Sequence, residues 1–86
     1  MMIPIGHKNF VESKHIVLLL RPDSAGAKRL RRNAAESGLL ITATNGRTTR
    51  SLILMETSHI VLSALTLKAL KARLGKFDPS KRKMTT

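Results

Sequence analysis

Short apolar runs bounded by turn-forming residues constrain the fold of this chain more than any other feature of its sequence. Runs of this length and composition are typical of strands, whereas helices generally need about ten residues or more. The runs are HIVLLL (15–20), LLITAT (39–44), SLILM (51–55) and HIVLSA (59–64). Residues 3–5 and 10–12, on either side of Gly6, add two short strands to the prediction. We expect the run at 15–20 to be a buried strand.

Two turns are predicted between the later runs. Asn45 and Gly46 both tolerate the positive φ angles of a type I′ turn, which predicts a hairpin between 39–44 and 51–55. Residues 56–58 (Glu-Thr-Ser) form a second turn, before the last run. The strands are therefore expected to form a small antiparallel sheet.

One segment has the periodicity of an amphipathic helix, from about Ala25 to Ser37. Asp23 or Ser24 can cap its start by accepting a backbone N–H, and Gly38 can end it in a left-handed conformation. Its apolar face consists of Ala27, Leu30 and Ala34. Its opposite face consists of Lys28, Arg29 and Arg32, with Glu36 among them.

A second, shorter helix is predicted at 67–74, because Thr66 can cap it, Gly75 can end it and leucines line one stripe of it. Residues 76–86 are polar, basic and interrupted by proline, so we expect a disordered basic tail after a single domain at 1–75. The prediction is an α+β domain, in which a small antiparallel sheet packs with two helices.

The charge of the chain indicates a polyanionic partner. Sixteen Lys and Arg residues stand against five Asp and Glu residues, and the formal net charge is +11. Such an excess attracts polyanions, of which nucleic acid is the commonest, ahead of an anionic membrane or an acidic protein. The alternative is a soluble protein that happens to be basic. Single strands stack their bases on aromatic side chains, but the chain has no Tyr or Trp and only two Phe residues. Phe10 is expected in the core, and neither Phe10 nor Phe77 is near the predicted loop. The sequence therefore favours duplex recognition.

Arg47 and Arg50, directly after the predicted turn, are the strongest candidates for contact with nucleic acid, because a turn tip does not require arginine. Lys and Arg side chains neutralise phosphates and release condensed counterions. The basic helix face described above would extend the contact. A third basic set consists of Lys68, Lys71, Arg73 and Lys81-Arg82-Lys83.

Other kinds of chemistry find little support. The chain has no cysteine, which excludes disulfides and thiolate metal sites. His7, His15 and His59 lack the spacing of helical metal ligands, and no phosphate-binding glycine loop is present. No apolar run approaches the about 20 residues of a membrane span, and the start does not have the pattern of a signal peptide. We expect no enzymatic activity, cofactor, metal, small-molecule substrate or membrane contact, and a cytoplasmic location.

Several segments together resemble the bacterial RemA family of extracellular-matrix regulators. These segments are IG..NFV (5–11), RPDSAGAKRL (21–30), ATNGRTTRS (43–51), SHIVLSAL (58–65) and ARL (72–74). They keep their order and spacing over about residues 3–74. The resemblance implies a small DNA-binding transcription regulator, assembled into a ring-shaped homo-oligomer that presents arginines to duplex DNA. In spore-forming relatives it implies activation of matrix and biofilm genes.

The resemblance also implies which residues contact DNA. The contacting arginines of the family correspond to Arg47 and to His15, while Thr48 replaces a second arginine of the loop. Arg50 matches a further arginine of the family, and Lys14 stands beside His15. These replacements suggest that the contact has moved toward Lys14, Arg50 and the basic helix. The full candidate set is Lys14, His15, Lys28, Arg29, Arg32, Arg47 and Arg50.

Three functions remain open from the sequence. The first is a homo-oligomeric DNA-binding regulator associated with the nucleoid. The second is an RNA- or ribosome-associated basic protein, which competition between duplex DNA and structured RNA would separate from the first. The third is a self-assembling structural protein whose charge serves solubility, which a ring without nucleic-acid affinity at physiological salt would favour.

Overall fold

The computed structural model describes residues 1–75, and the predicted tail at 76–86 lies outside them, with Phe77 and Lys81-Arg82-Lys83. The elements are β1 (Met2–Gly6), β2 (Asn9–Glu12), a 3-10 turn (Ser13–His15), β3 (Ile16–Leu20), α1 (Ala25–Glu36), β4 (Leu40–Ala43), β5 (Ser51–Met55), β6 (Ile60–Ser63) and α2 (Leu67–Leu74). The predicted α+β class and both helices are confirmed. Ser24 caps α1 by accepting from Ala27 N–H at 3.1 Å, and Thr66 caps α2 by accepting from Ala69 N–H at 3.2 Å.

The strands form two sheets rather than one. β1 and β2 make an antiparallel hairpin, and the other strands make a four-stranded sheet in the order β3-β5-β6-β4. β5 is antiparallel to both β3 and β6, but β4 is parallel to β6, so the prediction of a purely antiparallel sheet is wrong. The cause is α1, because a helical crossover carries the chain back so that β4 starts in the direction of β3.

The predicted hairpin between 39–44 and 51–55 is also wrong, because β6 lies between β4 and β5. The local conformation was nevertheless predicted correctly. Asn45 and Gly46 have φ angles of 51° and 79°, and the Arg47 N–H donates to the Thr44 carbonyl oxygen at 3.0 Å. The turn at 56–58 does join neighbouring antiparallel strands, β5 and β6, as predicted.

The four-stranded sheet is the middle of three layers. On one face, Ala27 and Ala34 of α1 pack in a cluster with Leu52, Ile60 and Leu62 of the sheet. On the other face, the β1–β2 hairpin and α2 cover the sheet, in a cluster whose members include Ile3, Ile5, Ile53, Leu70 and Leu74. Burial of apolar surface on both faces is what holds this small domain together.

Two predictions of burial are wrong. β3 is an edge strand rather than a buried one, and its Val17 and Leu18 are 45% and 49% exposed. The reason is that α1 packs mainly against β4 and β6, which leaves β3 without a helical cover. Phe10, expected in the core, is 55% exposed on the β1–β2 hairpin. None of the helices within 1–75 combines the length and apolar character required to cross a membrane.

Strand direction gives the sheet two distinct ends. β3, β4 and β6 run in one direction, and their carboxyl ends meet beside the start of β5. We call this end of the sheet the loop end, because the connection at 44–50 and the first residues of both helices lie there. The opposite end of the sheet, which contains the 56–58 turn, is called the turn end.

Candidate nucleic-acid interface

The segment from Thr44 to Arg50 crosses the end of β6, and backbone hydrogen bonds fix it on both sides. At its start, the turn through Asn45 and Gly46 is closed by the bond from Arg47 N–H to Thr44. At its end, the Arg50 N–H donates to the Ser63 carbonyl oxygen of β6 at 2.8 Å. Both arginine side chains are exposed. A fixed backbone therefore presents two guanidinium groups to solvent.

An open groove brings Arg50 together with basic residues from two other elements. It lies between the end of β3, the last residues of the loop and the first turn of α2, and its volume is about 450 Å³. Arg21 and Lys68 line it together with Arg50. We call it the α2 groove. Three cations that are distant in the sequence thus share one concave surface at the loop end.

Acidic side chains are concentrated at the other end of the sheet. Within residues 1–75, Glu12, Glu36 and Glu56 lie at the turn end, and Asp23 is the one carboxylate at the loop end. Asp23 pairs with Arg21, with 3.0 Å between Oδ2 and Nη2. The loop end is therefore the more positive end of the described domain.

Lys14 and His15 lie at the turn end, away from the loop. The His15 Nδ1 atom is 3.0 Å from Oε2 of Glu56, and the Glu56 N–H donates to the His15 carbonyl oxygen at 2.8 Å. The length of β5 separates this pair from Arg50, a distance of about 16 Å at about 3.3 Å per residue. One protomer does not bring these candidates and Arg50 to a single phosphate.

The three basic candidates of α1 are exposed on the face that points away from the sheet. Ala27 and Ala34 are 0% and 5% exposed and define the packed face, whereas Lys28, Arg29 and Arg32 lie on the opposite side. This part of the prediction is confirmed as a matter of geometry, and contact with DNA stays a prediction. The candidate set thus forms three separate groups: the loop end, the turn end and the outer face of α1.

The candidate set from the sequence did not include Arg21 or Lys8, and Lys68 was named only in the third basic set, although all three lie at the loop end. Lys8 belongs to the β1–β2 turn, which Asn9 connects to the start of the loop through its Nδ2, 3.4 Å from the Ala43 carbonyl oxygen. The position of Arg21 at the end of the third strand was a usable signal. It became meaningful only once β3 was known to lie beside β5.

The carboxyl group of Glu12, at the turn end, has a pKa below its ordinary value. The pKa of Glu12 is lowered, first by the hydrogen bond from the Met1 amino group and further by the N–H of Lys14, while burial opposes this shift. An ionised carboxylate is thereby kept beside Lys14 at the turn end. Within residues 1–75, no cluster of three His, Asp or Glu side chains is arranged to hold a metal ion.

Comparison with known proteins relates almost the whole described domain to one family. The family described as RemA-like, "Extracellular matrix regulatory protein A-like", matches residues 2–74. This match confirms the resemblance noted from the sequence segments.

Three individual relatives are similar over most of their length, and each is named only for a regulatory role. The relative from Geobacillus sp. (strain WCH70) is 42% identical over 72 residues, 84% of this chain and 83% of its own. The relative from Alkaliphilus oremlandii (strain OhILAs) is 42% identical over 80 residues, which are 93% of this chain and 86% of the relative. The relative from Moorella thermoacetica is 40% identical over 78 residues, which are 91% of this chain and 86% of the relative.

Proposed function

Because the chain belongs to the RemA-like family of regulatory proteins, we propose that it is a transcription regulator that holds duplex DNA through Arg47 and Arg50. The observation that carries the proposal is the position of these arginines. They lie on a segment whose backbone is fixed at both sides, at the end of the sheet where one carboxylate faces several cations. A fixed arginine loses less conformational entropy on binding a phosphate than an arginine on a mobile tail.

Duplex DNA is favoured over single strands by the lack of a stacking surface. Phe10 is the one Phe, Tyr or Trp residue within residues 1–75, and it lies in β2 rather than on the 44–50 connection. Proteins that bind single strands stack successive bases on aromatic rings, and the 44–50 connection that presents Arg47 and Arg50 contains none. Contact through arginines and the phosphate backbone instead fits a duplex, where specificity depends partly on DNA bendability.

Assembly into a homo-oligomeric ring is the second part of the proposal. Both edge strands of the sheet expose large apolar side chains: Val17 and Leu18 in β3, and Ile41 in β4. Edges of this kind invite pairing with another chain, and two different edges that meet head to tail generate a ring when the rotation closes. A ring repeats the arginine loop, so contacts that are weak in one protomer add up along a curved duplex. The assembly would act in the cytoplasm, at the nucleoid.

The test is duplex binding by the wild type and by Arg47→Ala/Arg50→Ala at several salt concentrations. Loss of two phosphate contacts should reduce the dependence of log K on log salt by about two per bound protomer. Arg31→Ala/Arg73→Ala removes the same charge from other exposed positions and should keep most of the slope. Equal affinity and slope in the loop variant and this control would contradict the role of the loop. A preference of the wild type for structured RNA over duplex DNA would support the RNA-associated alternative instead.

A further inference from the structure

The α2 groove contains more basic and hydrogen-bonding groups than the sequence candidates alone account for. Arg21 comes from the β3–α1 connection, Arg50 from the start of β5 and Lys68 from the first turn of α2. Their convergence follows from the topology, because the carboxyl ends of β3 and β6 flank the start of β5. Crevices outside the carboxyl ends of strands are where α/β sheets commonly bind ligands.

The charge in the groove is only partly compensated. Asp23 lines the same groove and pairs with Arg21. Both side chains are largely exposed, Arg21 to 72% and Asp23 to 66%. An exposed pair of this kind contributes little free energy, and water screens it. The guanidinium of Arg21 therefore remains able to exchange this carboxylate for a stronger anion, and Arg50 and Lys68 add two further positive charges.

Hydroxyl groups complete the lining of the groove. Thr48, Thr49 and Thr66 line the groove together with the basic side chains. The Oγ1 atom of Thr66 accepts the hydrogen bond that caps α2, so the hydroxyl proton is still available to a ligand. Cationic groups with hydroxyl donors are the combination by which proteins hold phosphate oxygens in DNA complexes.

We propose that the α2 groove binds one phosphate group, held by Arg21, Arg50 and Lys68, and that this phosphate belongs to the backbone of the bound duplex. This inference rests on the proposed DNA-binding function and adds Arg21 and Lys68 to its contacts. The groove is open to solvent and begins at Thr48–Arg50, the final part of the arginine segment. A DNA strand that passes over Arg47 and Arg50 therefore continues over the groove. An enclosed pocket would suit a small molecule better.

The experiment compares duplex binding by the wild type, Arg21→Gln/Lys68→Gln and the control Lys71→Gln/Arg73→Gln. The control removes the same two charges from exposed positions of α2 outside the groove. The groove variant should bind about ten-fold more weakly at moderate salt, and its salt slope should fall by about two per protomer. Lys71 and Arg73 belong to the third basic set but do not line the groove, so the control should lose less affinity and less slope than the groove variant. A groove variant that matches the control in affinity and slope would overturn the inference.

A third variant tests the same site in the opposite direction. Asp23→Asn removes the carboxylate that competes for Arg21, and it should tighten duplex binding by about two- to five-fold at low salt. Unchanged or weaker binding by a folded Asp23→Asn protein would count against a phosphate at Arg21. Circular dichroism establishes that each variant is folded before binding is measured.

Two further arms separate this inference from the proposed function and from a small-molecule site. If the wild type does not bind duplex DNA, the proposed function fails and the groove assignment fails with it. If the wild type binds DNA but the groove variant is unaffected, only the groove assignment fails. Titration with inorganic pyrophosphate provides the last arm. Tight binding that the groove variant loses, with its duplex affinity intact, would assign the groove to a free phosphorylated ligand and overturn the backbone assignment.

Discussion

The backbone N–H of Arg50 donates to the carbonyl oxygen of Ser63 across 2.8 Å, directly before the first paired residues of β5 and β6, Ser51 and Ser63. The backbone of Arg50 therefore extends the hydrogen bonding between the central strands β5 and β6, rather than belonging to a free loop. Its backbone cannot move without breaking the start of the β5–β6 ladder. This distinguishes Arg50 from Arg47, which is held by the local turn through Asn45 and Gly46.

Substitutions at Arg50 should separate its charge from its geometry. Arg50→Lys keeps the charge but loses the planar fork that holds a phosphate by two parallel hydrogen bonds. We expect its duplex affinity to fall several-fold with an unchanged salt slope. Arg50→Gln should lose affinity and also about one unit of slope per protomer. Fluorescence anisotropy with a labelled duplex over a salt series measures both, and identical slopes for the two variants would contradict a phosphate contact.

The two ends of the sheet should act independently within one protomer. β5 separates Lys14 from Arg50 by about 16 Å. Sites at such a distance, without shared partners, usually have additive effects to within about 0.3–0.5 kcal/mol. The binding free energies of Lys14→Gln, Arg50→Gln and the double variant should close a cycle within that range. A larger coupling would mean that assembly brings Lys14 of one protomer close to Arg50 of another.

The helices of this chain were predictable because their signals are local. Ser24 and Thr66 start α1 and α2 as their cap chemistry predicts, and Asn45 and Gly46 adopt the expected positive φ angles. The strand order was not predictable in this way. The same turn serves a hairpin or a connection across β6, and the choice depends on which apolar strand packs between the other two.

The candidate site residues show the same contrast between local sequence signals and contacts that depend on the strand order. Arg47 and Arg50 could be selected as candidates because they directly follow a local turn. The separation of Lys14 and His15 from them, and the approach of Arg21 and Lys68 to Arg50, follow from strand directions that no local pattern records. Charge composition predicts a polyanionic partner, but only the fold shows how the charges are distributed between the two ends of the sheet.

Removal of one buried hydroxyl should destabilise the fold beneath the loop. Ser63 is 0% exposed, and its Oγ donates to the Ile5 carbonyl oxygen at 2.7 Å and accepts from the Leu65 N–H at 3.1 Å. Ser63→Ala leaves both groups without this partner, so the free energy of unfolding should fall by about 1–3 kcal/mol. Ser37→Ala, at an exposed position, should change it by less than about 0.5 kcal/mol. Urea unfolding measures both, and equal effects would show that the Ser63 bonds contribute no net stability.

A charge on the exposed edge of β3 should weaken self-association. Leu18 is 49% exposed in an edge strand, and in the proposed assembly a lysine there would be buried against the neighbouring subunit. Leu18→Lys should shift the sedimentation profile toward monomer at a concentration where the wild type is assembled. Ala35→Lys places the same charge on an exposed position of α1 and should leave the profile unchanged. Identical profiles for the wild type and Leu18→Lys would exclude the β3 edge from the interface.

Two glycines of the β3–β4 connection should respond to alanine with opposite signs. Gly26 lies inside α1, while Gly38 follows the helix with a φ angle of 72°, and a Cβ added at either position meets no atom within 4 Å. Packing is therefore equal, and only backbone conformation distinguishes the two sites. Gly26→Ala should raise the free energy of unfolding by about 0.5–1 kcal/mol, because glycine loses more chain entropy in a helix. Gly38→Ala should lower it by about 1–2 kcal/mol, because a Cβ is strained in the left-handed region. The difference between their urea midpoints measures this contrast, and a change of the same sign in both would show that the conformation after Glu36 is not the one described.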